Sequence, residues 1–249
     1  MRQQITTSLQ SLAAAHQVKI LFACESGSRA WGFPSPDSDY DARFIYVQKP
    51  EAYLSLSDAK EHLSLPLTSE LDVCGWDLRK ALRLLYKSNC TPFEWLQSPV
   101  VYMEREGFRE SMTDLLPLYF NGRRQIHHYL GIAQGALATM QGKQIGVKKL
   151  FYVLRPLLAA NWIATKGAYP PMTLQPLLEL APASIQRIVD DLIRWKTEAV
   201  ESAPVEVPGE LMQFMTERMR SLAEAASSEN RMSISTAPLD AYFQKMLSC

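Results

Sequence analysis

Neither sign of charge prevails in this sequence: 26 Lys and Arg residues stand against 26 Asp and Glu residues in 249 positions. That balance argues neither for nor against a nucleic-acid partner, since a local basic groove would leave no trace in the sum. Long apolar runs are also missing. Nothing approaches the roughly 18 residues of a membrane span, and the opening MRQQITTSLQSLAAAHQ has no signal-like apolar centre. Cysteine is scarce, and Cys24, Cys74, Cys90 and Cys249 lack the paired spacing of a zinc site. Cys24 and Cys74 fall in expected strands, where cysteine serves as a small buried hydrophobe. These absences lead us to expect a cytoplasmic protein with no membrane partner.

What is present is an ordinary globular composition, 47% hydrophobic and 21% charged, enough to build one large core or two small ones. Residues 2–16 carry Ile5, Leu9 and Leu12 at helical spacing. Residues 18–24 (VKILFAC) form a short apolar run suited to a buried strand. The segment ESGSRAWGFPSPDSD is rich in Gly, Ser and Pro and reads as a loop unsuited to a helix. Further strands are expected at about residues 40–47 and 70–74, separated by a Ser- and Leu-rich stretch. Asp77 is placed to cap a helix in which Leu78, Ala81, Leu82 and Leu85 recur at i, i+3, i+4 and i+7. Beyond residue 105 the β signal fades. Helices are expected over 105–119, 123–141, 147–165, 183–200 and 208–226, then a loop over 227–238 and a last helix over 239–247. The fold class is therefore α+β, with an α/β domain over residues 1–104 and an all-helical domain over 105–249.

The chemistry concentrates between Gly27 and Asp41. Side chains alternate along a strand, so Asp39 and Asp41 are expected to point the same way. Two adjacent carboxylates repel, and a hard divalent cation turns that liability into a site, because Mg²⁺ takes oxygen ligands, typically one or two carboxylates plus substrate phosphates. Upstream, Gly27-Ser28 follows an expected strand, where exposed N–H groups and a hydroxyl suit phosphate oxygens. Leu71-Asp72-Val73 offers a third carboxylate between two apolar residues that point the other way. Glu70, two positions earlier and on the same face, is its rival.

Gly27-Ser28, a loop, Asp39-Tyr40-Asp41 on a strand and a later apolar-Asp-apolar strand together resemble the DNA polymerase β-like nucleotidyltransferase superfamily. More narrowly, ESGSRAWGFPSPDSDYDARFIY, DLRKALRLLYKSNCTPFEWLQSP and VKKLFYVLRPLLAANWI are similar to the RlaP type of predicted nucleotidyltransferase, so the resemblance covers most of the chain. It implies a small mixed sheet with helices, followed by a helical domain. It also implies an ATP- or other NTP-using transferase with two Mg²⁺ ions (Mn²⁺ as a substitute). Asp39 and Asp41 would hold both ions, and Asp72 would help hold the one that activates the attacking hydroxyl. Gly27 and Ser28 would grip the triphosphate. The acceptor suggested by the family name is an RNA end, in RNA repair; a protein hydroxyl or a small molecule are the alternatives.

Other residues carry a functional reading beside a plainer one. Arg43 continues the alternation from Asp39 and Asp41, and either contacts a phosphate or pairs with Asp72 or Glu70. Arg29 has the same status. Lys148, Lys149 and Arg155 share an expected helix and are either cations for the triphosphate or a solvated face. Trp31 either stacks on a base or packs on the core, and adjacent His127 and His128 read as structural. Two rival functions remain: a non-catalytic nucleotide-binding or regulatory module, and a toxin–antitoxin-type modifier of RNA or protein.

Overall fold

The computed structural model describes residues 1–68, 70–140, 144–200, 203–226 and 234–248. In chain order the elements are α1 (Arg2–His16), β1 (Lys19–Ser26), α2 (Gly27–Trp31), β2 (Tyr40–Val47), α3 (Pro50–Tyr53), β3 (His62–Ser64), β4 (Leu71–Asp77), α4 (Leu78–Tyr86), α5 (Cys90–Leu96) and β5 (Val101–Glu104). There follow α6 (Phe108–Thr113), α7 (Leu116–Tyr119), α8 (Gly122–Ala138), β6 (Gln144–Gly146), α9 (Val147–Lys166), α10 (Leu174–Leu178), α11 (Ala183–Glu198), β7 (Pro204–Glu206), α12 (Gly209–Ala225) and α13 (Ala237–Leu247).

Packing divides the chain into two units, and the division differs from a single cut after residue 104. The first holds Met1–Gly27, Asp39–Tyr119 and the segment of α13; the second holds Ser28–Ser38 and the chain from Phe120 through α12. Among the described residues, no helix is long and apolar enough to cross a membrane.

The first unit is built on a mixed sheet ordered β3-β4-β2-β1-β5, in which only β2 and β4 run parallel. Helix α1 buries Ile5, Leu9 and Leu12 against the sheet face formed by Ala23, Ala42, Phe44, Tyr46 and Val73. Period-two alternation therefore sends the other β2 residues, Asp41, Arg43, Ile45 and Val47, to the opposite face. Trp76, level with Ile45, stacks there on Trp95 of α5, with ring centroids 4.2 Å apart. The far ends of β2 and β4 are thus covered on this face. Asp77 caps α4 by accepting the Arg79 N–H at 2.8 Å.

The second unit is the expected helical region, with α8, α10 and α12 packed on α9 and α11 on α12. It also contains a two-stranded antiparallel ladder, β6 with β7, too short for its periodicity to show in the sequence. Three further details depart from expectation. The expected helix over 105–119 is two, α6 and α7, interrupted around Asp114. Strand β4 runs on to Asp77 because β3 pairs with its second half, His62 opposite Trp76 and Ser64 opposite Cys74. The five-residue α2 lies inside the expected loop, closed when the N–H groups of Gly32 and Phe33 both donate to the Ser28 carbonyl at 3.1 Å. Residues 227–233, most of the last expected loop, and Gln141 at the end of an expected helix lie outside the described residues.

Gly75 of β4 lies level with Phe44, and a Cβ there would sit 2.4 Å from the Phe44 ring. Because that ring is buried in the α1-facing core and cannot swing aside, Gly75→Ala is expected to destabilise the protein by about 2 kcal/mol, measurable by urea unfolding.

Candidate active site

Parallel pairing of β2 and β4 puts Asp41 level with Asp72, so both carboxylates leave the sheet on the same face, side by side. Arg43, two residues along β2 and level with Cys74, reaches back between them. Its Nη2 donates to Asp41 Oδ1 at 2.8 Å and to Asp72 Oδ2 at 2.7 Å, while Nη1 donates to the Asp72 carbonyl at 3.0 Å. Side-chain exposure is 16% for Arg43, 19% for Asp41 and 34% for Asp72. Burial works against the guanidinium charge, but the Asp41 and Asp72 carboxylates beside it hold Arg43 above its ordinary range. Of the two readings of Arg43, the geometry shows the ion pair with Asp72, shared with Asp41. Glu70 is exposed and stands one residue before β4, its carbonyl accepting the Tyr40 N–H at 2.9 Å. Asp39 is partly exposed just ahead of β2.

Gly27 is buried at the end of β1 with φ +65°, and a Cβ there would lie 2.2 Å from Asp41 Oδ2. Glycine is needed on both counts, for its backbone and for the close approach of the carboxylate. Behind Asp41 sits a residue that the sequence reading missed. Glu25, 1% exposed, accepts the Asp41 N–H at 2.7 Å and the Tyr102 hydroxyl, while the Ser98 hydroxyl donates to its carbonyl at 2.7 Å. Its position one residue from an apolar strand run and two from Gly27 was the available signal. Burial, with Glu25 adding to it, pushes the Cys24 thiol far up. Burial and the neighbouring carboxylates likewise raise the Cys74 thiol. Both stay protonated, as small hydrophobes would.

The remaining candidates belong to the second unit. The Ser28 hydroxyl donates to Ser38 Oγ at 3.2 Å, and Arg29 Nη2 donates to the Ser38 carbonyl at 2.6 Å. Trp31 packs against Phe33 and Tyr152, which supports the core reading of this residue. Lys148 is half-buried and Lys149 exposed beside Tyr152 at a cavity of about 310 Å³. Arg155 departs from both readings made of it. It is 2% exposed, donates to the Met172 carbonyl at 3.1 Å and lies over the rings of Trp31 and Tyr129. Its place is a packing cation, because its helix, α9, is buried nearly all round. His127 lies 3.1 Å from the Ala226 carbonyl, in keeping with a structural role. A second missed residue, Lys196 of α11, is 1% exposed and donates to the Phe33 carbonyl at 3.1 Å and to Ser35 Oγ at 2.9 Å.

The donor set suits a hard divalent cation. Two carboxylates stand in register, a third lies just upstream, Gly27 admits the Asp41 carboxylate at close range, and a positive group already stands between the first two. With Arg43 so placed, no three His, Cys, Asp or Glu groups among the described residues converge as a ready cation cage.

A mixed sheet with paired acidic strands and an adjoining helical region is the architecture of a polymerase β-type nucleotidyltransferase. The chain belongs to the family described as RlaP, RNA repair pathway DNA polymerase beta family, whose profile matches residues 1–245. It is 38% identical over 237 residues to a Bacillus subtilis (strain 168) protein called uncharacterized protein YcgL, a match covering 93% of this chain and 91% of that one. A crystal structure of a nucleotidyltransferase-like protein from Exiguobacterium sibiricum 255-15 aligns with 89% of this chain and 75% of its own, at 10% identity and a TM-score of 0.33.

The contact between Gly27 and Asp41 gives a stability test with an internal control. Gly27→Ala and Gly32→Ala both place alanine at positive φ, but a Cβ at Gly32 meets nothing within 4 Å. Gly27→Ala is expected to cost about 1 kcal/mol more, by urea unfolding, and the excess should vanish in an Asp41→Ala background.

Proposed function

We propose that the protein transfers a nucleoside monophosphate from an NTP to a hydroxyl acceptor, with release of pyrophosphate. The observation that carries this reading is the in-register pair of Asp41 and Asp72, partly exposed on one sheet face, with the Asp41 carboxylate packed closely against Gly27. Asp39, Asp41 and Asp72 would hold Mg²⁺ (or Mn²⁺), which supplies charge neutralisation at the phosphoryl oxygens and lowers the barrier to attack. The rest falls to the chain's own groups. Gly27, beside Asp41, receives the triphosphate, and Ser28, Arg29, Lys148 and Lys149, which belong to the helical unit, stay candidate nucleotide contacts. Arg155, being enclosed, serves instead to hold Trp31. Asp72, the more exposed of the pair, orients the acceptor hydroxyl. The acceptor oxygen bonds to the α-phosphorus as the bond from that phosphorus to the pyrophosphate oxygen breaks. Such a reaction asks the protein for position and charge more than for covalent chemistry.

The family's description as an RNA repair pathway member makes an RNA end the first acceptor to test. Purified protein is incubated with Mg²⁺ and each α-labelled NTP, with total cellular RNA and separately with total cellular protein. Label is expected to move to RNA. Asp41→Asn is expected to slow transfer by at least about a hundredfold. Its circular dichroism should be retained, since Arg43 keeps its bond to Asp72. Label on protein would make the acceptor a protein hydroxyl. Absence of both transfer and nucleotide binding would overturn the nucleotidyltransferase reading.

A further inference from the structure

Arg43 stands where positive charge is most wanted. One of its nitrogens donates to a carboxylate oxygen of Asp41 and one of Asp72, at 2.8 and 2.7 Å, and the side chain is largely enclosed. A guanidinium cannot neutralise itself by losing a proton, so its charge stays as long as its position does. A dication ligated by the same two carboxylates would lie within a few ångströms of that charge, and the repulsion is severe in a partly buried site. The guanidinium can leave the carboxylates without leaving the site. Its other terminal nitrogen donates to the Asp72 carbonyl at 3.0 Å and the Ala42 carbonyl at 3.3 Å, and neither acceptor is needed by an ion held on the carboxylates.

We propose that Arg43 is the resident counter-cation of this site, and that a divalent ion binds by exchange, the guanidinium withdrawing from Asp41 and Asp72 as the ion enters. This rests on the functional reading given above. The exchange keeps the unloaded carboxylates compensated and makes the naked ion a weak ligand, because each ion must displace an ion pair. An ion arriving with a polyphosphate is favoured, since the polyphosphate offers the displaced guanidinium a new anionic partner. Arg43 is on this account a positioning residue that acts through the two carboxylates.

Direct Mn²⁺ binding to the full chain, followed by the spectroscopic signal of free Mn²⁺, separates this from a merely structural role. Arg43→Gln removes the charge but keeps hydrogen-bonding capacity, and it is expected to bind Mn²⁺ at least about tenfold tighter than wild type. Arg43→Lys, which restores a cation, is expected to bind no tighter than wild type. Mn²⁺ should also raise the melting temperature of Arg43→Gln more than that of wild type. Equal or weaker binding by Arg43→Gln, with wild type binding lost in Asp41→Asn, overturns the exchange and leaves the carboxylate site standing. Failure of both proteins to bind overturns the exchange and the metal reading together. Should the variants not fold, the wild type suffices: Mg²⁺ should move the Arg43 guanidinium resonances towards those of free arginine. Unmoved resonances at Mg²⁺ levels that raise the melting temperature overturn the proposal.

Discussion

The parallel register of β2 and β4 forces Asp41 and Asp72 to stand side by side, and much of the surrounding structure answers that constraint. Neighbouring strands lie about 4.8 Å apart. Two unit charges at that separation, in an effective dielectric near 20, repel by about 3 kcal/mol, far more than a surface ion pair returns. The sheet cannot relieve this by slipping. A one-residue shift would carry Ala42, Phe44 and Val73 out from under α1 and bring the acids in. The charge must therefore be met where it is. Arg43 meets it, from a strand position where an apolar residue would otherwise be expected. Gly27 gives the Asp41 carboxylate its space, and Glu25 holds the Asp41 backbone from behind.

The remaining candidate groups belong to the helical unit. The acids and Arg43 lie in the sheet unit. Ser28, Arg29, Lys148 and Lys149 pack with the helices. The chain passes from one unit to the other between Gly27 and Ser28, and returns between Ser38 and Asp39, so the loop that carries the hydroxyl is short and tied at both ends. Within the helical unit that loop is firmly set. Phe33 packs on Phe151 with centroids 4.5 Å apart, Trp31 lies under Arg155, and the buried Lys196 binds the Phe33 carbonyl and the Ser35 hydroxyl. A loop of Gly, Ser and Pro, which in isolation would be pliable, is given one conformation by aromatic packing and a buried cation.

How much of this was legible depended on length and on partners. Strand β2 and helix α1 could be read because each carries its own period over many residues. Strands β3, β5, β6 and β7 could not, since three or four residues hold no period and their pairing is supplied by distant segments. The identity of Asp41 followed from local pattern. The bond from Arg43 to Asp72 needed the register of two strands separated by more than twenty residues, and alternation alone left phosphate and carboxylate partners equally open. Arg155 shows the opposite error: charge and helical spacing suggested an outward face, but α9 is enclosed, and the aromatic rings that receive its guanidinium come from other parts of the chain.

The same contrast separates acids enclosed by the protein's own donors from the candidate pair. Glu25 and Asp77 both lie at strand ends in this sheet, and both are 1% exposed. Each has a set of donors supplied by the protein: the Asp41 N–H and the Tyr102 hydroxyl for Glu25; the Arg79 N–H, the Tyr53 hydroxyl and the Gln48 amide for Asp77. A carboxylate so surrounded has its charge stabilised in place and little room for a ligand. Asp41 and Asp72 are different, because both retain solvent exposure and both draw on one guanidinium. Exposure and a shared guanidinium leave Asp41 and Asp72 accessible to a ligand in a way that the enclosed Glu25 and Asp77 are not.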